Sequence, residues 1–120
     1  MSDQRVILEM GSGNDLHGRD YTKAAIRAVE DAIRHSSLPL FRCLGLDQGL
    51  MRVAITIGVA EPSAVETDRV AAHLPHGTVT VVAVPGGLDV TNPETGEVTV
   101  IATAAVEAHL PPQPGWRLSD

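Results

Sequence analysis

Apolar residues recur along the first half of the chain in two different rhythms. Residues 6–10 (VILEM) form a short apolar run that reads as a strand, and residues 50–59 (LMRVAITIGV) place Val53, Ile55, Ile57 and Val59 at every second position, as a half-buried strand does. Between them Ala25, Ile26, Val29, Ala32 and Ile33 follow helical spacing. On the opposite side Arg27 with Asp31 and Glu30 with Arg34 form i,i+4 charge pairs. This pattern predicts a helix that opens at Asp20 or Tyr21 and runs to about Ser36. Residues 36–49 (SSLPLFRCLGLDQG) read as a connector with a semi-apolar centre.

The second half is punctuated by proline and glycine. Pro62 and Ser63, with Glu66 three residues on, make a capping box that predicts a second helix, ended by Pro75. Residues 78–84 (TVTVVAV) are β-branched and predict a largely buried strand. Pro85-Gly86-Gly87 would break or bulge it. Residues 89–91 and 97–101 read as a hairpin around the turn Asn92 to Gly96, where Asn92-Pro93 starts the turn and Gly96 supplies a positive φ. A final short helix is predicted over 103–109, stopped by Pro111-Pro112, with residues 112–120 as a loose or draped tail. VAAHLP at 70–75 returns as VEAHLP at 106–111. Either a strand–helix unit is duplicated, or both are helix C-termini where histidine meets the dipole and proline stops the turn.

These elements predict a single domain, residues 1–120, of α/β or α+β class: a small two-layer sandwich with about four strands in one sheet and two or three helices on one face. At 120 residues one core is the expectation. Tyr21, Phe41 and Trp116 are its few aromatic residues, so that core must be built from small aliphatic side chains. A thin core covered on one side leaves a sheet face or edge for self-association. A homo-oligomer follows, with a trimer favoured and clefts between subunits.

Charge narrows the partners. Fifteen acidic residues stand against eight arginines and one lysine, giving a net charge of -6 with no cationic cluster, which excludes nucleic acid. No apolar run approaches the roughly 20 residues needed to span a bilayer, so no membrane association is expected. The lone Cys43 offers neither an internal disulfide nor a thiolate cage, and a cytoplasmic protein is the expectation.

Candidate chemistry concentrates in GSGNDLHG, residues 11–18. A strand, a glycine-rich loop and a helix N-terminus together commonly bind anions. Two nucleotide motifs are excluded: no lysine and hydroxyl follow as a Walker loop requires, and Leu16 stands where a dinucleotide fingerprint has its third glycine. No nucleotide cofactor is indicated. Asp15 and His17, two residues apart, would point the same way in an extended loop, as an acid/base pair or as ligands of a divalent metal ion with Asp20 beside them. Gly11, Gly13 and Gly18 would bring backbone N–H groups close to a ligand. The plainer alternative is that Asp15 caps a turn and the glycines permit a bend. Lys23 would face a ligand carboxylate or solvent. Gly86 and Gly87 would wall the pocket or merely bulge the strand. His73 and His76 read as helix-end histidines or a second imidazole near His17, and Cys43 as buried and inert.

Gly11, Gly13, Asp15, His17 and Gly18 fill every fixed position of a G-x-G-x-D-x-H-G signature, and the stretch resembles the Lin-type family of conserved hypothetical proteins found in bacteria and plants. The following helix and LPHGTVTVVAVPGGL are similar as well. The resemblance marks where a site would be and implies no reaction. In size and strand–helix rhythm the chain is distantly similar to one repeat of the ring-opening amidohydrolases for cyanuric acid and barbiturate, although their serine–lysine motifs are not evident. Two functions follow as expectations. One is acid/base hydrolysis or isomerisation of a small carbonyl or amide metabolite by Asp15 and His17. The other is a non-catalytic oligomeric module that binds a small ligand or metal.

Overall fold

The computed structural model describes residues 4–16, 18–34, 51–74 and 78–111. Chain order is strand β1 (Gln4–Asp15), helix α1 (Tyr21–Arg34), strand β2 (Arg52–Val59), a 3-10 turn (Pro62–Ala64), helix α2 (Thr67–Ala71), then strands β3 (Thr78–Pro85), β4 (Leu88–Thr91) and β5 (Val98–Leu110). The five strands form one sheet in the order β1-β5-β2-β3, with β4 also paired to β5. The helices stack on one face. The result is the expected α+β sandwich, with one strand more than expected.

β5 is the keel of the sheet. It runs antiparallel to β1 from Val100 to Leu110, to β2 from Thr103 to His109, and to β4 from Val98 to Ile101. β4 therefore continues the lane of β2 along the same side of β5. Residues 103–109 belong to this strand, not to the predicted final helix. Val100, Ala102, Ala104, Val106, Ala108 and Leu110 are all buried, a period of two that the alanine content disguises as helix. The two VxAHLP segments consequently differ in kind, since 106–111 lies in and just past a strand while 70–74 spans α2 and the turn after it. No duplicated unit exists.

Helix α1 forms where its periodicity predicts. It buries Tyr21, Ala24, Ala25, Ala28, Val29 and Ala32 against the sheet. The buried residues are mostly alanines, so the helix axis sits close to β1. Strand β1 answers with Gly11 and Gly13. A Cβ on Gly11 would lie 2.5 Å from the Ala28 carbonyl oxygen and the Ala32 nitrogen, and one on Gly13 would lie 2.4 Å from the Ala28 nitrogen. The predicted glycine loop is thus, up to Asp15, a strand whose missing side chains admit a helix backbone. Side chains of α1 also close the outer edge of β1: the Ser12 N–H donates to Asp31 Oδ2 at 3.0 Å, and Arg27 Nη1 donates to the Asn14 carbonyl at 2.6 Å. Such capping occupies the edge groups of residues 12 and 14.

The capping box does not form as predicted. Ser63 lies in the 3-10 turn, and the Glu66 N–H donates instead to Thr22 Oγ1 of α1 at 2.8 Å. The Glu66 carboxylate pairs with Arg69 at 2.6 Å. Strand β3 is less buried than predicted because it sits at the end of the sheet path, and Val82 is half exposed. Pro85-Gly86-Gly87 does interrupt the chain, and the hairpin turn forms with Gly96 at φ +76°. The connector's Cys43, the Pro75 stop, His76 and the 112–120 tail lie outside the described residues. Among the described residues no helix is long and apolar enough to cross a membrane.

Candidate functional site

The residues singled out from the sequence divide between the β1–α1 turn on the helix side of the sheet and a cleft on its open side. Asp15 closes β1 with its side chain turned toward α1, and only 3% of the residue is exposed. Its Oδ2 accepts the Asp20 N–H at 3.0 Å. Its Oδ1 lies 3.8 Å from Lys23 Nζ and 3.9 Å from Arg27 Nη1. Asp20 in turn accepts the Lys23 N–H at 2.9 Å, which makes it the N-cap of α1. Gly18 and Arg19 take positive φ, 86° and 52°, to turn the chain between them.

This arrangement places a buried carboxylate beneath a helix N-terminus, where the dipole and two cations hold it. Asp15, Lys23 and Gly18 lie together at this turn, with the Lys23 ammonium directed to Asp15 while half of its side chain stays exposed. His17 lies outside the described residues. Among the described residues no three His, Cys, Asp or Glu side chains cluster as metal ligands. His73, just past α2, sits 3.7 Å from Glu30 on α1.

On the same helix-facing side a second carboxylate lies level with the first. Asp15 and Asp89 both pair with Val100 in register, one from β1 and one from β4. The Tyr21 hydroxyl donates to Asp89 Oδ2. Burial, then the hydrogen bond and charge of Asp89, pushes the Tyr21 phenol up to about 12, with Glu61 adding and Arg19 opposing. Two carboxylates thus anchor the start of α1 from either side of Val100.

The opposite face of the sheet carries an open cleft of about 540 Å³. Its floor is built from residues that lie side by side in register, Ser12 with Thr103 and Gly58, and Met10 with Ala105 and Thr56. Val84, Pro85 and Gly86 form one wall, and Asp31 closes the β1 end. Small residues make the hollow. A Cβ on Gly58 would lie 2.7 Å from Thr103 Oγ1, and one on Gly86 would lie 3.1 Å from the Gly58 Cα. Gly86 donates its N–H to the Val59 carbonyl at 2.9 Å, and Gly87, at φ +60°, steps the chain from the β3 lane into the β2 lane.

Of the sequence candidates among the described residues, Gly11 and Gly86 touch this cleft. The hydroxyls of Ser12, Thr56 and Thr103 carry no motif that marks them in the sequence. Gly58 inside a strand pattern was a signal, because a strand glycine often marks the close approach of another backbone.

One five-stranded sheet under a single helical layer defines a small α+β sandwich protein. The chain belongs to the family described as conserved hypothetical protein (Lin0512_fam), whose model matches residues 5–108. The resemblance carried by residues 11–18 holds at the level of that family. The chain is similar to a crystal structure of a FtsZ-like protein of unknown function from Nostoc punctiforme, with 36% sequence identity and a TM-score of 0.80, over 93% of this chain and 99% of that one. No curated protein matches the chain.

Proposed function

We propose that this protein is a binding module for a small polar, uncharged metabolite, held in the cleft on the open face of the sheet. The observation that carries this reading is the row of hydroxyls of Ser12, Thr56 and Thr103 over a floor emptied by Gly58 and Ala105. Hydroxyls both donate and accept, which suits an amide, a carbonyl or a polyol. Among the described residues no lysine or arginine lines the cleft. An anion therefore finds no counter-charge there.

The acid/base reading centred on Asp15 has weaker support. Both Asp15 oxygens are engaged by an N–H group and two cations, and the carboxylate lies under α1 rather than at an opening. A nucleotide reading, prompted by the FtsZ-like description of the Nostoc protein, meets the same obstacle at Gly11 and Gly13. The space beside those glycines is filled by the backbone of α1.

Amide chemical-shift mapping with neutral polyols, primary amides and cyclic imides tests the proposal. Perturbations should cluster on Ser12, Thr56, Gly58, Thr103 and Gly86 and vanish in Thr103→Val. Perturbations confined to Asp15, Gly18 and Lys23 would return the site to the β1–α1 turn.

A further inference from the structure

We infer that the open face of the sheet packs against the same face of a second copy of this chain, forming a two-fold pair. The helices cover one side of the sheet, and the other side carries Leu8, Met10, Val82, Leu88 and Val90, each between 44 and 70% exposed. They are not scattered. The β1–β5 register turns Leu8 and Met10 to the side opposite buried Val106 and Ala104, and the β4–β5 register turns Leu88 and Val90 to the side opposite Asp89, which faces α1. These apolar residues border the hydroxyl-lined cleft, and exposed apolar surface of this extent on one face marks an interaction surface.

The size of the face suits a copy of itself. At about 3.3 Å per residue and 4.8 Å between lanes, the described strands cover a plan area of roughly 700 Å². A stable interface takes roughly 800 Å² from each partner. Charge distribution points the same way. The chain is strongly acidic, yet on this face the charged side chains are gathered at one end, where Glu107 lies 3.8 Å from Arg5 and 3.3 Å from His109, with Arg52 paired to His109 in register. Beyond Glu107, which pairs with Leu8 in register, the sheet positions from Met10 across to Leu88 carry no charge, and Asp31 of α1 stands at the β1 rim of the cleft, so two copies meet over the middle of the face without repulsion. Sheets stack face to face about 10 Å apart, a spacing that interdigitated Met, Val and Leu side chains fill.

The pairing does not depend on any ligand, but it has a consequence for the cleft. Met10, Val84 and Thr56 belong both to the cleft and to the paired surface, so the partner roofs the hollow and a bound metabolite is held between subunits.

Sedimentation equilibrium on the full chain decides the matter. The wild type should show twice the 12.7 kDa chain mass at micromolar concentration. Met10→Glu and Val82→Glu, which place charges on exposed positions at opposite sides of the sheet, should each weaken association at least a hundredfold while leaving the circular dichroism spectrum unchanged. Leu16→Glu alters an exposed leucine beyond the end of β1 and should leave the mass at two chains. A wild-type monomer would overturn the inference, and so would a trimer. So would a dimer that survives Met10→Glu, since that result assigns the contact to the β3 edge.

Discussion

The Tyr21 phenol donates its hydrogen bond to Asp89, so the first residue of α1 is tied to the short strand β4, 68 positions along the chain. The other Asp89 oxygen, Oδ1, is buried and has no hydrogen-bond partner among the described residues. Replacing the phenol leaves this carboxylate wholly unpartnered. Tyr21→Phe should destabilise the fold by about 1–3 kcal/mol, measured by urea denaturation, although it removes a single oxygen.

The same contact has a pH signature. The folded chain holds the phenolic proton more tightly than the unfolded chain, with the group raised from 10.0 to about 12. Its contribution to stability is complete below pH 10 and falls as pH rises toward 12. Tyr21 is the only tyrosine in the chain, so tyrosinate absorbance reports it alone. The titration should lie well above that of free tyrosine, and Tyr21→Phe should flatten the alkaline fall in stability.

Gly11 and Gly13 make room for a helix and not for a ligand. Gly13→Ala places a Cβ 2.4 Å from the Ala28 nitrogen and 2.6 Å from the Ala24 carbonyl oxygen, contacts with backbone that cannot yield cheaply. It should cost about 3 kcal/mol, at the upper end of overpacking penalties. Gly18→Ala meets only Asp15 Oδ2 at 3.9 Å, and its cost comes from φ +86° alone, about 1 kcal/mol. Thermal melts of the two variants should separate them clearly.

Asp15 is expected to act through the helix it anchors. Asp15→Ala removes the acceptor for the Asp20 N–H and leaves Lys23 and Arg27 facing each other. A loss of about 2–3 kcal/mol should follow, because the carboxylate is buried. Lys23→Met should cost under about 1 kcal/mol, since the lysine is half exposed and Arg27 remains. Equal losses in the two variants would contradict this division.

Helix α2 draws its hydroxyl from Thr22, not Ser63. Thr22→Val keeps the shape but strips the acceptor from the Glu66 N–H, and should cost about 1–2 kcal/mol by denaturant titration. Ser63→Ala, at an exposed position, should be neutral.

Periodicity located α1 and β2, and the turn residues Asn92, Pro93 and Gly96 located the β4–β5 hairpin, because each carries a pattern that local geometry satisfies without help. Residues 103–109 misled because alanine favours helix, while burial beside β1 and β2 requires small side chains in a strand. TVTVVAV reads as buried from composition, yet burial depends on lane position, which register with β2 decides and composition does not. The glycines at 11 and 13 look the same in sequence whether a ligand or a helix approaches them. Ser12, Thr56 and Thr103 lie far apart along the chain and become neighbours only through pairing with β5. The Asp15 cluster was half legible, since the turn-capping alternative stood beside the acid/base one and matches the contacts that Asp15 makes.

Because β5 is the strand that β1, β2 and β4 all lean on, the sheet has no centre until residues 98–110 have left the ribosome. Before then β1 has no described partner strand, and β2 has β3 alone. The sheet therefore completes in one long-range step, when β5 docks between β1 and β2.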